Sequence, residues 1–257
     1  MRILLIGDIH GDIHHLPQRL ALMRSQFRVS AAICLGDFGF FPDIFATLSE
    51  ESFHLPIPLY TIDGNHEDHH WLAQMAASGA IETWRTSYNL IYQPRGSVAQ
   101  IGNSTVGLLG GALNIDRPQQ IDNFSSVSNT ISATQRLSAS SAFNHFHPEL
   151  IVTHSSPAGI GVGMCGELAL KQSITNHVVS VGFDPGPDND CGEIELANLW
   201  HSLEQKPAVW AFGHFHKFHE TKIEDTTFVC VPMLSKNSIW PIIMWDSDEK
   251  RIIIIKQ

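Results

Sequence analysis

Short apolar runs, each closed by a polar group, recur five times along the chain and constrain its fold more than any other feature. Their length and their content of Ile, Leu and Val are typical of buried β-strands. Helical stretches near 12–24 and 68–77 alternate with the first three runs, which predicts βαβ units and a mainly parallel sheet. The five runs lie at 2–6, 31–35, 59–62, 150–153 and 208–212.

Hairpins are predicted in the middle of the chain and near its C-terminal end. The runs 97–101 and 105–109 flank a Gly-Asn-Ser turn, and the runs 239–245 and 251–256 flank a polar turn. Together with the parallel units, these hairpins predict an α/β fold in which two sheets pack face to face with helices outside. No linker divides the sequence, so 1–257 is predicted to be a single domain.

Two polar segments are predicted to be loops over a functional site. Residues 114–141 are rich in Ser, Asn and Gln, and residues 155–190 are rich in Gly, Asp and Pro. Long loops in a compact domain often carry specificity, and irregular surface is the alternative interpretation. We expect these loops to decide which substrate enters.

The composition narrows the class of protein. The formal net charge of −10 disfavours long nucleic acids as partners, because they bind to basic surfaces. The sequence shows no signal peptide, no apolar run long enough to span a membrane and no sign of an obligate protein partner. Its four cysteines form no C-x-x-C pair and are interpreted as reduced thiols of a cytoplasmic protein. The 15 histidines are unusual, and histidine is the commonest metal-ligating side chain.

Side chains of metal-binding types follow the five apolar runs. Functional groups gather at the carboxyl ends of strands in α/β sheets, so we expect these side chains to meet at one edge. In extended backbone, the two polar members of Asp-x-His and of His-x-His point to the same side and reach one ion. Oxygen and imidazole donors without thiolate favour Mn, Fe or Zn, and the carboxylate of Asp37 is the candidate bridge between two ions. The residues concerned are Asp8, His10, Asp37, Asn65, His66, His154, His214 and His216.

With these residues in place, the chain resembles the calcineurin-like metallophosphoesterase family. The resemblance rests on the ordered motifs Asp-x-His, Gly-Asp, Gly-Asn-His-Glu, a later His and Gly-His-x-His, which run from Asp8 to His216. It implies a four-layer α-β-β-α sandwich of two mixed sheets flanked by helices, with a binuclear metal site at the carboxyl ends of the strands. The layout after the third motif is similar to that of small bacterial and phage members, and loosely to RNA lariat debranching enzymes.

The resemblance also implies a role for each motif residue. His66 would lie near the metals without ligating them and act on the substrate as the catalytic acid. The implied cofactors are two divalent metal ions, with Mn as the leading choice and Fe, Zn, Ni or Mg as alternatives. One ion would be held by Asp8, His10 and His216, and the other by Asn65, His154 and His214, with Asp37 between them.

The sequence departs from the protein Ser/Thr phosphatases of this family. Those enzymes carry Asp-Arg-Gly after the second motif and an arginine before Gly-Asn-His, whereas this chain has a phenylalanine-rich segment and Asp63 at these places. The missing arginines argue against phosphoprotein substrates. Phe40 also replaces the aspartate that would orient His66, and Asp43 and Asp63 are the alternative candidates for that role.

The expected activity is hydrolysis of a phosphomonoester or phosphodiester by a metal-bridging hydroxide. A small phosphate ester or a nucleotide is the expected substrate, and a nucleotide- or nucleic-acid-directed phosphodiesterase is an alternative. Arg95 and Arg117 are candidates to bind the phosphate, the other interpretation being ordinary solvated arginines. A non-catalytic scaffold on the same fold is the alternative from another class, but it would be expected to lose ligands, whereas every ligand position here is filled.

Overall fold

Two six-stranded sheets form the centre of the fold. The computed structural model describes residues 1–113, 129–166, 168–182, 184–234 and 241–256. Within these ranges, strands β1 to β6 comprise Arg2–Ile6, Val29–Cys34, Leu59–Thr61, Leu90–Tyr92, Ser97–Ile101 and Ser104–Leu109. Strands β7 to β12 comprise Leu150–Thr153, Val209–Phe212, His219–Ile223, Thr226–Cys230, Ile242–Asp246 and Arg251–Ile255.

Helices pack on the outer face of each sheet. The described residues form α1 (Leu16–Phe27), α2 (Pro42–Phe45), α3 (His69–Ser78), α4 (Ile81–Thr83), α5 (Ala133–Phe146), α6 (Leu168–His177) and α7 (Ile194–Ser202). A π-helical turn spans Trp84–Tyr88, and short 3₁₀ turns span Met164–Gly166, Val179–Val181 and Pro187–Asn189. In the described part of the chain, every helix is too short or too polar to cross a lipid bilayer.

Both sheets are mixed. The first has the order β12-β11-β1-β2-β3-β4, in which β1 to β4 run parallel and β11 is antiparallel to both of its neighbours. The second has the order β5-β6-β7-β8-β10-β9, in which the four central strands run parallel and the two outer strands are antiparallel to them. The predicted fold class, two mixed sheets flanked by helices, is confirmed.

Three apolar layers hold the four structural layers together. The middle layer lies between the sheets and includes Leu5, Val152 and Val229. One outer layer joins the first sheet to α1 and α3, and the other joins the second sheet to α5, α6 and α7. Strand β1 contributes to two of these layers, because its successive side chains point to opposite faces. A strand covered on both sides needs apolar residues throughout, which explains the unbroken runs in the sequence.

Both ends of the first predicted helix differ from the prediction. The helix predicted at 12–24 begins at Leu16, because the chain first makes a turn in which the Leu16 amide donates to Ile13. Proline is favoured in the first turn of a helix, where its missing N–H costs nothing, and Pro17 takes that place. The helix continues to Phe27 and ends where Arg28 adopts a left-handed conformation.

The two predicted loops are less extended than expected. In the first, 114–128 lies outside the described residues, and the part from Ala133 onward belongs to α5. Ser132 caps that helix in a reciprocal box with Gln135, a signal that is visible in the sequence. In the second, 155–190, helix α6 and the short 3₁₀ turns interrupt the irregular backbone.

Candidate metal centre

The predicted ligands come together at one end of the sandwich, where strands of both sheets finish. Three of the segments follow β1, β2 and β3 of the first sheet, and two follow β7 and β8 of the second. Within the described residues, the donor atoms of Asp8, His10 and His216 form one group that could hold a metal ion. Those of Asp8, Asp37 and His154 form a second, adjoining group.

The first group lies at the mouth of the site. The Nε2 atoms of His10 and His216 are 3.0 Å apart, and the His216 Nε2 atom lies 3.5 Å from Oδ1 of Asp8. Both histidines are exposed, whereas Asp8 is fully buried. The backbone amide of His214 donates to the Asp8 carboxylate at 2.9 Å, which fixes the aspartate between the strand ends.

The second group is buried and consists of acceptors that face one another. The Nδ1 atom of His154 lies 2.7 Å from the carbonyl oxygen of Leu35, so its N–H is directed there. The other ring nitrogen, Nε2, faces Oδ1 of Asn65 at 3.0 Å and Oδ1 of Asp37 at 3.4 Å, and it is an acceptor whenever the ring is neutral. Three acceptors at such distances repel each other unless a cation or a proton lies between them.

Asp37 belongs to the second group and also faces His10 of the first. Its Oδ1 atom faces His154, and its Oδ2 atom lies 3.8 Å from Nδ1 of His10. The backbone amide of His66 donates to Oδ1 at 2.8 Å, and the Asp37 carbonyl accepts the His10 amide at 2.7 Å. The two carboxylate oxygens thus face different histidines, which is the placement expected of a bridging ligand.

Electrostatics at this centre favour positive charge. Burial alone would lower the pKa of His154, but the carboxylate of Asp37 and then that of Asp8 raise it to about 10. Burial would raise the pKa of Asp37, but the charge and hydrogen bond of His154 hold it well below its ordinary value. Burial and the neighbouring charge of His154 lower the pKa of His214 to about 3. In the metal-free protein His214 is therefore neutral, whereas His154 is protonated and would lose its Nε2 proton when a metal binds.

Unpaired buried atoms test whether a cation fits the site. Within the described residues, Oδ2 of Asp37, Nδ2 of Asn65 and Nε2 of His214 are buried without a hydrogen-bond partner. Buried polar atoms are usually satisfied, because leaving one unpaired costs about 1–3 kcal/mol. Oδ2 of Asp37 is an acceptor, and Nε2 of His214 is one when the neutral ring carries its proton on Nδ1. A divalent cation would satisfy them, so the residues present fit a metal site.

The backbone conformation at the ligand residues differs from the prediction. Extended backbone was expected to direct both side chains of Asp-x-His, and both of His-x-His, to one side. Instead, His10, Asp37, His214 and His216 have φ angles of 49°, 47°, 67° and 59°. The left-handed region is uncommon for residues other than glycine, and such residues cluster at functional sites. Tight turns, rather than alternation along a strand, bring these side chains together.

Glycines in the motifs make room for the ligands. A Cβ atom on Gly64 would lie 2.0 Å from Oδ1 of Asp37, and one on Gly36 would lie 2.4 Å from Nδ1 of His154. No real Cβ atom comes this close to another atom. These two positions therefore require glycine because of close packing against ligand side chains.

Glu67 organises the site, a role that was not predicted. Its carboxylate is buried and accepts the backbone amides of Phe38, Gly39 and Phe40 at 2.9, 3.1 and 2.6 Å. Burial and the negative charge of Asp37 raise the pKa of Glu67 to about 8. The glutamate thereby fixes the turn that directly follows Asp37. The final Glu of Gly-Asn-His-Glu was the signal that could have revealed this role.

The predicted phosphate-binding arginines have different outcomes. The guanidinium of Arg95 is nearly buried and donates to the carboxylate of Asp63 and to the carbonyls of Asn129 and Thr130. Because these bonds use all three of its nitrogens, we assign Arg95 a structural role in place of the predicted phosphate contact. Arg117 lies outside the described residues, and its phosphate contact stays a prediction.

The candidates for orienting His66 also change. Both oxygens of Asp63 are engaged, one by the hydroxyl of Tyr92 at 3.1 Å and the other by Arg95, so we withdraw Asp63 from this role. Asp43 is exposed on the short helix α2. The ring of His66 lies 5.2 Å from the ring of His10, at the mouth of the site. This position next to the exposed group suits a side chain that meets a substrate.

Fold and site together define a class: α/β sandwiches that carry a cluster of aspartate and histidine donors where the strands of two sheets end. A family model described as calcineurin-like phosphoesterase matches residues 1–218. The chain belongs to this family, and its predicted resemblance is confirmed. A search of the curated proteins finds no significant match.

Solved structures share the fold at low sequence identity. A candidate 5′-nucleotidase from Staphylococcus aureus, solved with α-ketoglutarate, aligns with a TM-score of 0.52 and 13% identity over 99% of this chain and 52% of its own. An archaeal phosphodiesterase aligns with a TM-score of 0.45 and 11% identity over 100% of both chains. At such identities the likeness concerns the fold alone.

Proposed function

We propose that this protein hydrolyses phosphate esters with two divalent metal ions. Membership of the family supports a metal-dependent phosphoesterase. The observation that carries the two-ion proposal is the pair of adjoining donor groups, with Asp37 facing a histidine of each. In the proposal, Asp8, His10 and His216 would hold one ion, and Asn65, His154 and His214 would hold the other, with Asp37 as the ligand that serves both.

Each residue has a distinct part in the proposed reaction. Bound divalent ions supply positive charge, which lowers the pKa of water and neutralises phosphate oxygens. Asp8 and Asp37 hold this charge in place from a fully buried position. His66, beside the exposed His10, protonates the leaving oxygen. His214 stays neutral because burial lowers its pKa, so it offers a lone pair at every physiological pH.

The proposed substrate is a small phosphate ester or a nucleotide. In place of the phosphate-binding arginine after the second motif, Phe38 and Phe40 are fully buried, and Phe40 stacks on Trp84 with ring centroids 5.5 Å apart. Among the described residues, the segment directly after Asp37 therefore presents buried aromatic rings where a phosphoprotein phosphatase would present an arginine. The net charge of −10 favours a short substrate over long nucleic acid. The 5′-nucleotidase-like fold neighbour adds nucleoside monophosphates to the substrates worth testing.

Metal identity and location complete the proposal. Oxygen and imidazole ligands favour Mn. Fe, Zn, Ni and Mg are alternatives, because the supply of each metal in the cell outweighs raw affinity in deciding which ion binds. A cytoplasmic location agrees with the buried, reduced thiols of Cys34, Cys191 and Cys230.

The test uses metal-stripped and Mn-loaded protein. Both are assayed with a chromogenic phosphomonoester and a phosphodiester, followed by a panel of nucleoside monophosphates, cyclic nucleotides and short oligonucleotides. We expect hydrolysis by the loaded protein only, and full activity without metal would contradict the proposal. If the reconstituted protein binds no metal, the non-catalytic scaffold becomes the better interpretation.

A further inference from the structure

We propose that Arg95 is a positioning residue, which acts through Asp63 to hold Asn65 in place and so sets the affinity for the second metal ion. The inference rests on the proposed two-ion site. It assigns a purpose to a buried ion pair that touches neither metal group directly. The pair lies beside the chain segment that carries both Asn65 and His66.

Arg95 and Asp63 form a close pair with little solvent access. The Nε and Nη2 atoms of Arg95 lie 2.8 and 2.7 Å from Oδ2 of Asp63, and the two side chains are only 8% and 2% exposed. Tyr92 donates its hydroxyl to the other oxygen at 3.1 Å. Burial would raise the pKa of Asp63, but the charge of Arg95 holds it below its ordinary value. The two guanidinium N–H groups on one oxygen and the tyrosine hydroxyl on the other form a fork that fixes the orientation of the carboxylate and keeps it negatively charged.

The same guanidinium connects a second chain segment to the site. Its Nη1 atom donates to the carbonyl of Thr130 at 2.8 Å, and Nη2 donates to that of Asn129 at 3.0 Å. The side chain of Asn129 in turn donates to the backbone carbonyl of Asn65 at 3.4 Å. Arg95 thus holds Asn65, the proposed metal ligand, through Asp63 on one side and through Asn129 on the other.

Two glycines form a cradle for this ion pair. A Cβ atom on Gly110 would lie 2.4 Å from Oδ1 of Asp63, and one on Gly111 would lie 2.7 Å from the guanidinium carbon of Arg95. The amide of Gly111 also donates to the carbonyl of Asp63 at 3.0 Å. Both the side chain and the backbone of Asp63 are therefore fixed. This packing explains why glycines stand at both positions.

Loss of this ion pair should affect binding of the second metal ion and not of the first. Asp63 precedes Asn65 by two residues, and Oδ1 of Asn65 lies 3.0 Å from Nε2 of His154. If the fork is lost, the Asn65 amide moves away from His154. The first group gains its donors from segments after β1 and β8, which the ion pair does not contact.

The experiment measures each metal-binding step separately. Arg95→Lys keeps the charge, but a single ammonium group cannot reach Asp63, Asn129 and Thr130 in the same geometry. Metal-stripped protein is titrated with Mn²⁺ by calorimetry, and His214→Ala and His216→Ala assign the two steps. We expect wild-type affinity for the first ion and about 10–100-fold weaker binding of the second, the usual loss when a partner of a metal ligand is changed. Electron paramagnetic resonance should show loss of the spin-coupled Mn pair.

Arg136→Lys is the matched control. Arg136 is a half-buried arginine of α5 whose Nε donates to Glu195 of α7 at 3.1 Å, and the variant should bind both ions as wild type does. Folded Arg95→Lys that binds both ions normally, or that weakens both equally, would overturn the inference. Should Arg95→Lys not fold, Tyr92→Phe removes only one hydrogen bond to Asp63 and is judged by the same two criteria. Wild-type protein that binds fewer than two ions would instead contradict the proposed function.

Discussion

At the scale of single residues, the centre is built around a position that attracts positive charge. Nε2 of His154 faces the oxygens of Asn65 and Asp37, and Oδ2 of Asp37 is buried without a partner among the described residues. In the metal-free protein a proton on His154 compensates the carboxylates, in keeping with its pKa of about 10. A bound cation would take over this role, so individual substitutions should have large and distinct effects.

Asp37→Asn should abolish activity while the fold survives. The change removes the negative charge that faces both groups, and metal sites supply several kcal/mol of charge stabilisation, so we expect a loss of about 100-fold or more. Metal content by mass spectrometry and kcat on the chromogenic ester measure the effect. Asp225→Asn, in the exposed turn between β9 and β10, is the control and should behave as wild type. Normal metal content and turnover in Asp37→Asn would refute the bridging role.

His66→Gln should separate catalysis from metal binding. The side chain supplies no donor to either metal group, so metal content should match that of wild type. Loss of a general acid lowers turnover by about 10²–10⁴-fold. The loss should be largest for an alkyl phosphate and small for a nitrophenyl phosphate, whose leaving group needs no proton. A fall in metal content would show that the role assigned to His66 is wrong.

At the scale of elements, sequence patterns predicted the strands that end at the site, because an unbroken apolar run closed by polar residues suits a buried strand better than a surface helix or a loop. The turns after those strands could not be predicted, since left-handed backbone at His10 or His214 has no signature in a non-glycine residue. The ion pair of Arg95 was missed because its partner Asp63 lies 32 residues away in the sequence. Contacts of that range depend on the complete fold.

Other elements were missed for related reasons. Strand β9 alternates half-buried and exposed residues of mixed polarity, so it does not stand out as an apolar run. Helix α7 lies just after the Gly- and Asp-rich segment and was not predicted. The ligands, in contrast, are identified by the order of their motifs, which does not require the outer strands to be known.

Gly111→Ala should be much more destabilising than Gly161→Ala. The two glycines have φ angles of 91° and 90°, so both substitutions carry the same backbone strain of about 1–2 kcal/mol. Only at Gly111 does the new Cβ meet other groups, the guanidinium of Arg95 at 2.7 Å and the carbonyl of Asn129 at 2.8 Å. Overpacking there should add about 1–3 kcal/mol, measured by urea unfolding. Equal losses in the two variants would mean that the cradle relaxes freely.

At the scale of the whole molecule, the site joins the two sheets. Asp8, Asp37 and Asn65 come from the first sheet, whereas His154, His214 and His216 come from the second. The apolar layer between the sheets sets their separation and therefore the spacing of the ligands. A change in how the sheets pack would alter every distance at the site at once.

Removing the metal should lower the melting temperature of the whole protein. An ion that binds only the folded state, present at 100 times its Kd, adds about 2.7 kcal/mol to the free energy of unfolding. For a chain of this size, that corresponds to a shift of about 5–10 °C, measured by scanning calorimetry with Mn²⁺ and with a chelator. Asp37→Asn is the control and should show little metal-dependent shift. An unchanged melting temperature in wild type would argue against tight binding.

The wide separation of the ligands along the chain determines when the metal site can form during synthesis. Asp8 and His216 are separated by 208 positions (216 minus 8), so a ribosome has made most of the 257 residues before the last donor exists. A nascent chain that stops before His154 lacks three of the seven donors. Ion capture is therefore a late event in biosynthesis, and until then Asp8 and Asp37 lack the three later histidines that surround them in the complete site.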